Sequence, residues 1–358
     1  MSEPLVIQSH HGPYTVCFED AGVAGLPDRF DGVCHYLMDA NVARLYSTEL
    51  ASVLSLPTTQ VIEAVESNKS IQAAILVFEA LVRNGVRRDQ VLVAIGGGII
   101  QDLTCFAASV LLRGVPWRFF PTTLLAQADS CIGSKSSINL GSTKNILGTF
   151  NPPGEVAIYG DFLDTLGPRE IRSGIGEIVK VHAIDGSASF DRLAADFDRL
   201  FTDRSTLLHY TRAALTIKQR FIEVDEFDRN VRNVFNYGHS FGHAIESATN
   251  YAVPHGIAVA LGMDMANHVA ASRGDLPWRH QQRMHAVLRR LYAGDLVPLD
   301  LDAILAALLK DKKNTKTQLG LVLAIGQAAD IQRVYVQPDD VFRAQCAAFL
   351  TTVSESRE

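Results

Sequence analysis

The sequence predicts a two-domain protein, an α/β domain on a parallel sheet followed by a mostly α-helical domain. Three observations carry that expectation. Short β-like runs alternate with helical stretches as far as Tyr159. The run Val91–Ile95, VLVAI, is apolar throughout, as a parallel strand covered on both faces must be. After Pro168 the β-like runs largely stop. A chain of 358 residues allows two domains with a core each, and the boundary is placed to give 1–165 and 166–358.

In order, Tyr14–Phe18 and His35–Met38 read as strands, the second handing over at Asp39-Ala40-Asn41 to a helix. Gln60–Val65 is a further strand candidate. Ile71–Val86 is amphipathic, with Ile71, Ile75, Phe78, Leu81 and Val82 on one side of a helix. VLVAI runs into Gly96-Gly97-Gly98 and a helix over Ile99–Leu112, then a strand over Pro116–Phe120. Strand and helix alternating at this spacing predict an N-terminal Rossmann-like domain. Ser130–Gly148, dense in Gly, Ser, Asn and Lys, reads as a loop-rich connector before a last strand at Val156–Tyr159. Helices are expected over the stretch from Pro168, then at 190–201, 206–226, 232–249, 257–272 and 279–292. A strand-like run at Leu319–Ile325 and a helix at Val341–Leu350 close the chain. In such an arrangement the ligand is expected in the cleft between the domains.

Composition narrows the function. A net charge of −6 argues against a dedicated nucleic-acid binder, though not against a local basic pocket for a small anion. No apolar run reaches membrane-spanning length, and MSEPLVIQSHHG lacks a basic start and an apolar signal core. The five cysteines are scattered, with no CxxC, which suits reduced, buried thiols in a cytosolic protein.

Several stretches carry chemistry. The glycine triplet lies between a strand and a helix, where a bare backbone can approach a pyrophosphate, although it could equally be a tight turn. Lys135, Lys144, Asn145 and Arg113 are either solvated or part of an anion clamp. Glu177 and Lys180 lie on GIGEIVK, whose Ile175, Ile178 and Val179 suggest burial. Buried charges need partners, so Glu177 is a candidate metal ligand and Lys180 a candidate substrate contact, against the alternative of a surface i,i+3 pair. His239 and His243 share a helix face, and His255 follows Pro254 at the start of the next helix, so three imidazoles form a candidate divalent-metal cradle. Arg232 and Asn236 are expected on the same helical stripe as these histidines. Asp311-Lys312-Lys313 reads by composition as a surface loop.

Together GGGIIQD, PTTLLAQADS, the Lys135 and Lys144-Asn145 stretch, GEIVK, RNVFNYGHSFGHAIE, PHG and DKK resemble, in order, the 3-dehydroquinate synthase and sugar-phosphate cyclase family, over about Asp39 to Ile325. The resemblance implies an NAD- and divalent-metal-dependent enzyme, using zinc or cobalt. Such enzymes cyclise a phosphorylated ketose by transient oxidation, phosphate elimination, reduction, ring opening and aldol closure. It implies Glu177, His239 and His255 as metal ligands, which moves His243 to the phosphate side of the substrate. It implies Gly97, Gly98, Asp102, Thr122, Thr123 and Lys144 against NAD, with Asp39, Asn41, Glu66 and Lys69 as weaker matches. His243, Lys180, Asp129 and Asp228 are the implied catalytic set. Lys135, Asn145, Lys218, Arg232, Asn236 and one DKK lysine, either Lys313 or Lys312, are the implied substrate contacts. Arg113 is implied to reach a neighbouring subunit's site, hence a homodimer.

The chain also departs from the family's pattern. Gly133-Ser134-Lys135-Ser136 stands where GGKT is usual, Gln101 where a glycine is common, and Asp228 where Glu is preferred. These departures bear on which sugar is cyclised: a carboxylated heptulosonate phosphate, which Arg232 and Asn236 suit, or a neutral sedoheptulose or glucose phosphate. A related NAD(P)-dependent dehydrogenase would accumulate NADH, and a non-catalytic homologue would turn nothing over.

Overall fold

In the computed structural model, which describes residues 3–30, 32–141, 143–311 and 313–355, the apolar runs of the first part become strands of one sheet. The chain divides into two compact units, Met1–Gly167 with Lys218–Phe227, and Pro168–Ile217 with Asp228–Glu358. Lys218–Phe227 thus goes with the first unit, where a single cut after residue 165 leaves it with the second.

The first unit runs β1 (Leu5–Ile7), β2 (Tyr14–Glu19), β3 (Cys34–Asp39), α1 (Ala40–Leu45), α2 (Ala51–Leu54), β4 (Thr59–Ile62), α3 (Ile71–Arg83), β5 (Val91–Gly96), α4 (Gly98–Val110), β6 (Trp117–Pro121), β7 (Lys135–Leu140), β8 (Thr143–Phe150) and β9 (Glu155–Tyr159). Among the described residues seven strands pair in the order β1-β2-β9-β6-β5-β3-β4. Only β1 against β2 is antiparallel. The central strands are covered on both faces, which is why β3 is buried at every position and β5 reads as an unbroken apolar run. Val42, Leu50 and Tyr46 pack with Tyr36, Val93 and Phe120 on one face, and Leu103, Ala74 and Ile138 pack together elsewhere in the unit. Asp39 caps α1, its carboxylate accepting from the Asn41 N–H at 2.9 Å. Met38 pairs with Ile95, and Gly96 with Pro121, so Asp39, the last residue of β3, and Gly97 and Thr122, just beyond β5 and β6, stand at the carboxyl ends of neighbouring strands.

The stretch expected as a loop-rich connector is instead largely the antiparallel hairpin β7–β8, paired from Lys135↔Phe150 to Leu140↔Thr143. Its polar composition hid it: exposed residues recur along both strands, and a hairpin half open to solvent needs few apolar side chains.

The second unit runs α5 (Pro168–Ile184), α6 (Ser187–Ala195), α7 (Arg199–Thr202), α8 (Arg204–Val224), α9 (His239–Ala248), α10 (His255–Ser272), α11 (Trp278–Tyr292), α12 (Leu301–Leu308), the antiparallel pair β10 (Leu319–Ile325) and β11 (Asp330–Val336), and α13 (Asp340–Glu355). The end of α8 is the part that joins the first unit. α10 is apolar all round and buried at nearly every position from Gly256 to Ala271, as the central helix of a helical core must be. No helix among the described residues is long and apolar enough to cross a membrane.

The expected continuous helix over 232–249 is broken. Val231–Asn236 is a 3-10 turn, Gly238 takes a left-handed conformation at φ 77°, and α9 begins at His239. A Cβ at Gly238 would lie 2.6 Å from the Val259 carbonyl oxygen of α10, so only glycine permits both the turn and the approach. Arg232 and Asn236 therefore do not continue the histidine stripe.

His182 gives this unit an acid-sensitive point. It is buried, with Nδ1 2.9 Å from Ser189 Oγ, and burial pushes its pKa down to about 4. A base depressed in the folded state binds fewer protons than the unfolded chain, so stability is complete above the unfolded value of about 6.5. It drains away as pH falls from there towards about 4. The loss is at most about 3 kcal/mol for this group. Thermal melts from pH 7 to 4 should show a shallower acid slope in His182→Leu than in the native protein.

Candidate active site

Two glycines place the first cluster. α5 and α10 cross with Gly176 against the Gly256 carbonyl and Gly256 against the Ser173 carbonyl, too close to admit a side chain on either. The Gly256 N–H also donates to Ser173 Oγ at 2.9 Å. That crossing brings together the next residue on α5, Glu177, and the preceding one on α10, His255. Glu177 Oε1 lies 3.4 Å from His255 Nε2 and 3.8 Å from His239 Nε2. Ligand atoms around a tetrahedral zinc stand about 3.3 Å apart for bonds of about 2.0–2.1 Å, so these spacings suit three ligands of one small cation. His239, His243 and His255 also offer ligand atoms all within 4.8 Å of one another, so the three-imidazole grouping survives as geometry. Glu177 distinguishes the two sets. Its carboxylate is fully buried, whereas His243 is exposed, and a buried anion demands positive charge.

The electrostatics point the same way. Burial alone would raise the Glu177 pKa, but the Lys180 ammonium at 2.5 Å and His255 hold it well below the usual carboxylate range. Burial depresses His239 strongly, helped by Lys180 and its imidazole neighbours, which keeps it neutral as a metal ligand must be. His255 goes the other way: burial opposes protonation, but Glu177 and Glu246 lift it to about 10. Two carboxylates around one imidazole thus draw a positive charge into the cluster.

Glu246 itself had no role assigned from the sequence. Its carboxylate oxygens stand 3.2 and 3.3 Å from His255 Nδ1, the ring nitrogen remote from Glu177, and so orient the imidazole. Its signal was available in GHAIE, two turns beyond His239. Lys180 and Arg232 are buried, and the Lys180 ammonium also sits 5.7 Å from the centre of the Phe235 ring. Asn236 Nδ2 donates to Asn233 O at 3.1 Å. Asp228 sits at a left-handed φ of 55°. Lys313 is not a plain surface residue: its side chain is 24% exposed, and burial lowers its pKa against the pull of Asp311 and Asp228. Lys312 lies outside the described residues.

In the first unit, β5 delivers the glycine turn to the start of α4. A Cβ at Gly97 would press on Thr123 Cγ2 at 3.0 Å, whereas one at Gly98 would meet nothing within 4 Å. Open space thus lies before the helix N-terminus, where backbone N–H groups favour an anion. Thr122 N–H donates to Gly96 O at 2.9 Å, and Thr123 Oγ1 accepts from Ala126 N–H at 3.2 Å. The implied NAD-side charges pair with one another: Lys69 with Asp102 at 2.5 Å, Lys144 with Glu66 at 3.2 Å. Burial leaves the Asp102 pKa raised despite Lys69 and the Ser137 N–H, which donates to it at 2.9 Å. Asn139, unassigned from the sequence, links this group to Asn145: its Nδ2 donates to Glu66 Oε1 and its Oδ1 accepts from the Asn145 N–H, both at 2.9 Å. Asn145 holds φ 51° in β8, and Lys135 is exposed at the start of β7. Lys218, from the end of α8, pairs with Asp129 at 2.8 Å. Arg113 follows α4 with φ 67°, between Leu112 at 52° and Gly114 at 117°.

An α/β unit with a glycine turn at its strand ends, and a helical unit with a carboxylate–imidazole cluster, make a two-domain fold of the dehydroquinate synthase type. Residues 59–173 match the 3-dehydroquinate synthase N-terminal family, and residues 174–314 the 3-dehydroquinate synthase C-terminal family. A 3-dehydroquinate synthase of Thermoanaerobacter sp. strain X514 is 32% identical over 86% of this chain and 88% of its own. A 2-epi-5-epi-valiolone synthase from Streptomyces hygroscopicus subsp. jinggangensis, solved with NAD+ and Zn2+ bound, superposes at TM-score 0.82. It is 30% identical, covering 96% of this chain and 97% of that one. A 2-deoxy-scyllo-inosose synthase, 22% identical and covering 96% and 99%, shares the fold at TM-score 0.81. The chain belongs to the 3-dehydroquinate synthase family, whose enzymes are phosphate-eliminating carbocyclases.

Proposed function

We propose that this protein is an NAD- and divalent-metal-dependent cyclase of a heptulosonate 7-phosphate, eliminating phosphate and closing a carbocycle. The observation that carries this reading is the buried Glu177 carboxylate set by a glycine crossing against His239 and His255. The donor set of one carboxylate and two imidazoles suits zinc or cobalt, and leaves a fourth position for a substrate oxygen.

When bound, NAD would take up a hydride and return it, and the metal would polarise the hydroxyl being oxidised. Gly97 and Gly98 present bare backbone to the pyrophosphate, with Thr122, Thr123 and Asp102 beside them and Lys144, Lys69, Glu66, Asp39 and Asn41 as outer contacts. Arg232 suits a carboxylate, because its planar fork matches two oxygens at once. Lys135, Asn145, Asn236, Lys218, Lys313 and His243 hold the substrate, His243 on its phosphate side. Lys180 offers hydrogen bonds to a substrate hydroxyl while its charge is balanced by Glu177, and Asp129 and Asp228 complete the proton-handling set. We also propose a homodimer, in which Arg113, presented by the left-handed run Leu112–Gly114, serves the partner's site. Light scattering should then read twice the chain mass of 39.1 kDa. The free cysteines fit a reducing, cytoplasmic setting.

Similarity to the valiolone synthase favours a second reading, a neutral sedoheptulose 7-phosphate as substrate. Phosphate release from heptulosonate 7-phosphate, sedoheptulose 7-phosphate and glucose 6-phosphate separates the two; activity confined to a neutral sugar would overturn the first. NADH must not build up during turnover, and its accumulation would mark a dehydrogenase instead.

The cofactor assignment has its own test. Gly98→Ala adds a methyl to open space, so the fold should melt as the native protein does, while the NAD Kd rises about tenfold or more because the methyl stands where the pyrophosphate would lie. An unchanged Kd by calorimetry would move NAD away from this turn.

A further inference from the structure

Beyond β6 the chain coils into Ala126–Ser130, a π-helical turn closed by the Cys131 N–H donating to Ala126 O at 3.0 Å. Such turns are rare and frequently sit at functional sites. Two buried glutamines hold this one. Gln127 Nε2 donates to Pro121 O and to Tyr159 O, each at 3.0 Å, tying the turn to the ends of β6 and β9. Gln101, 5% exposed and one turn into α4, grips its far end in both directions. Gln101 Nε2 donates to Ser130 O at 2.6 Å, and Ser130 Oγ donates to Gln101 Oε1 at 2.6 Å.

The residue before Ser130 is Asp129. Its carboxylate stands 2.8 Å from the Lys218 ammonium, and its carbonyl accepts from the same ammonium at 2.5 Å. Two successive carbonyls, 129 and 130, are thus fixed by two different anchors, one on α8 and one on α4. Held at both its carbonyl and its hydroxyl, Ser130 is the fixed residue from which the Asp129 peptide extends towards Lys218.

We infer that Gln101 is a positioning residue that, through Ser130, sets the Asp129–Lys218 pair for substrate binding. The inference rests on the reading of Asp129 and Lys218 as substrate-side groups. Gln101→Glu keeps the size and the acceptor but turns an anionic oxygen on the Ser130 carbonyl. Ser130→Ala leaves α4 untouched and removes one bond. Each should raise KM about tenfold for whichever of heptulosonate and sedoheptulose 7-phosphate the native enzyme turns over, the equivalent of one hydrogen bond. The NAD Kd, read by calorimetry, should stay within about twofold, a split that a general loosening of α4 would not produce. KM unchanged in both variants, or NAD affinity falling in step with KM, overturns the clamp. Lys218→Ala, measured alongside, separates the two levels. If it raises KM while the clamp variants do not, only the role of Gln101 falls. If it leaves KM unchanged, the substrate-side reading of Lys218 falls, and the clamp with it.

Discussion

Glu177→Gln and His239→Ala will each purify folded but with divalent metal near background, and with turnover reduced by about a thousandfold or more. Each removes one of the three proposed protein ligands, whose imidazole nitrogens lie 3.4–3.8 Å from Glu177 Oε1. A two-ligand remnant cannot hold a small cation in competition with water. The two variants differ in their side effects. His239 is neutral by burial, so its loss leaves a vacancy but no stranded charge. Glu177 is the partner of the buried Lys180, and deleting one member of a buried ion pair costs about 3–5 kcal/mol. Gln is therefore the better replacement than Ala at 177, and circular dichroism must accompany the metal analysis. Metal retained at one equivalent in both folded variants would place the ion elsewhere.

Arg232→Ala is the second large effect. For a heptulosonate 7-phosphate, KM should rise about a hundredfold, since two charge-assisted hydrogen bonds of about 1.5 kcal/mol each are lost. For sedoheptulose 7-phosphate, which has no carboxylate, it should barely move. Arg232 is only 7% exposed, so its guanidinium is held rather than waving in solvent, and Lys will not restore the flat two-oxygen match. Equal KM changes on both sugars would deny Arg232 a carboxylate.

Where local pattern and burial agree, the sequence announces the element. VLVAI is a strand because both its faces are covered, and Ile71–Arg83 is a helix capped by Ser70, although its buried residues are Ala74, Val77 and Leu81 while Ile75 and Val82, expected on the apolar side, are exposed. Where an element is half solvated, pattern fails: the β7–β8 hairpin looks like a loop because more than half its strand residues are polar. β11, DIQRVYV, goes unread for the same reason. α12 is different, for Asp300 before LDAILAAL is an ordinary cap signal that was there to be used. The break at Gly238 is invisible locally because its cause, Val259 and Met263 of α10, is two dozen residues away. The candidate site divides similarly. The burial of Glu177 and Lys180 follows from their apolar neighbours. The meeting of Glu177 with His255 does not, since it depends on two glycines from helices eighty residues apart. That proximity reached the sequence reading only through family resemblance.

The burial of α10 bears on how the protein acquires its ion. His255 heads a helix whose next four turns are already sealed into the core by apolar contacts, and Glu177 rides on a second helix locked to it by the glycine crossing. The proposed ligands are therefore assembled by packing and would not need to be gathered by the ion. Unlike a zinc finger, such a protein should survive chelation as a folded reservoir and reload within its mixing time. Its activity would then track the free metal around it reversibly, as a rheostat, with no refolding step between the empty and the loaded states.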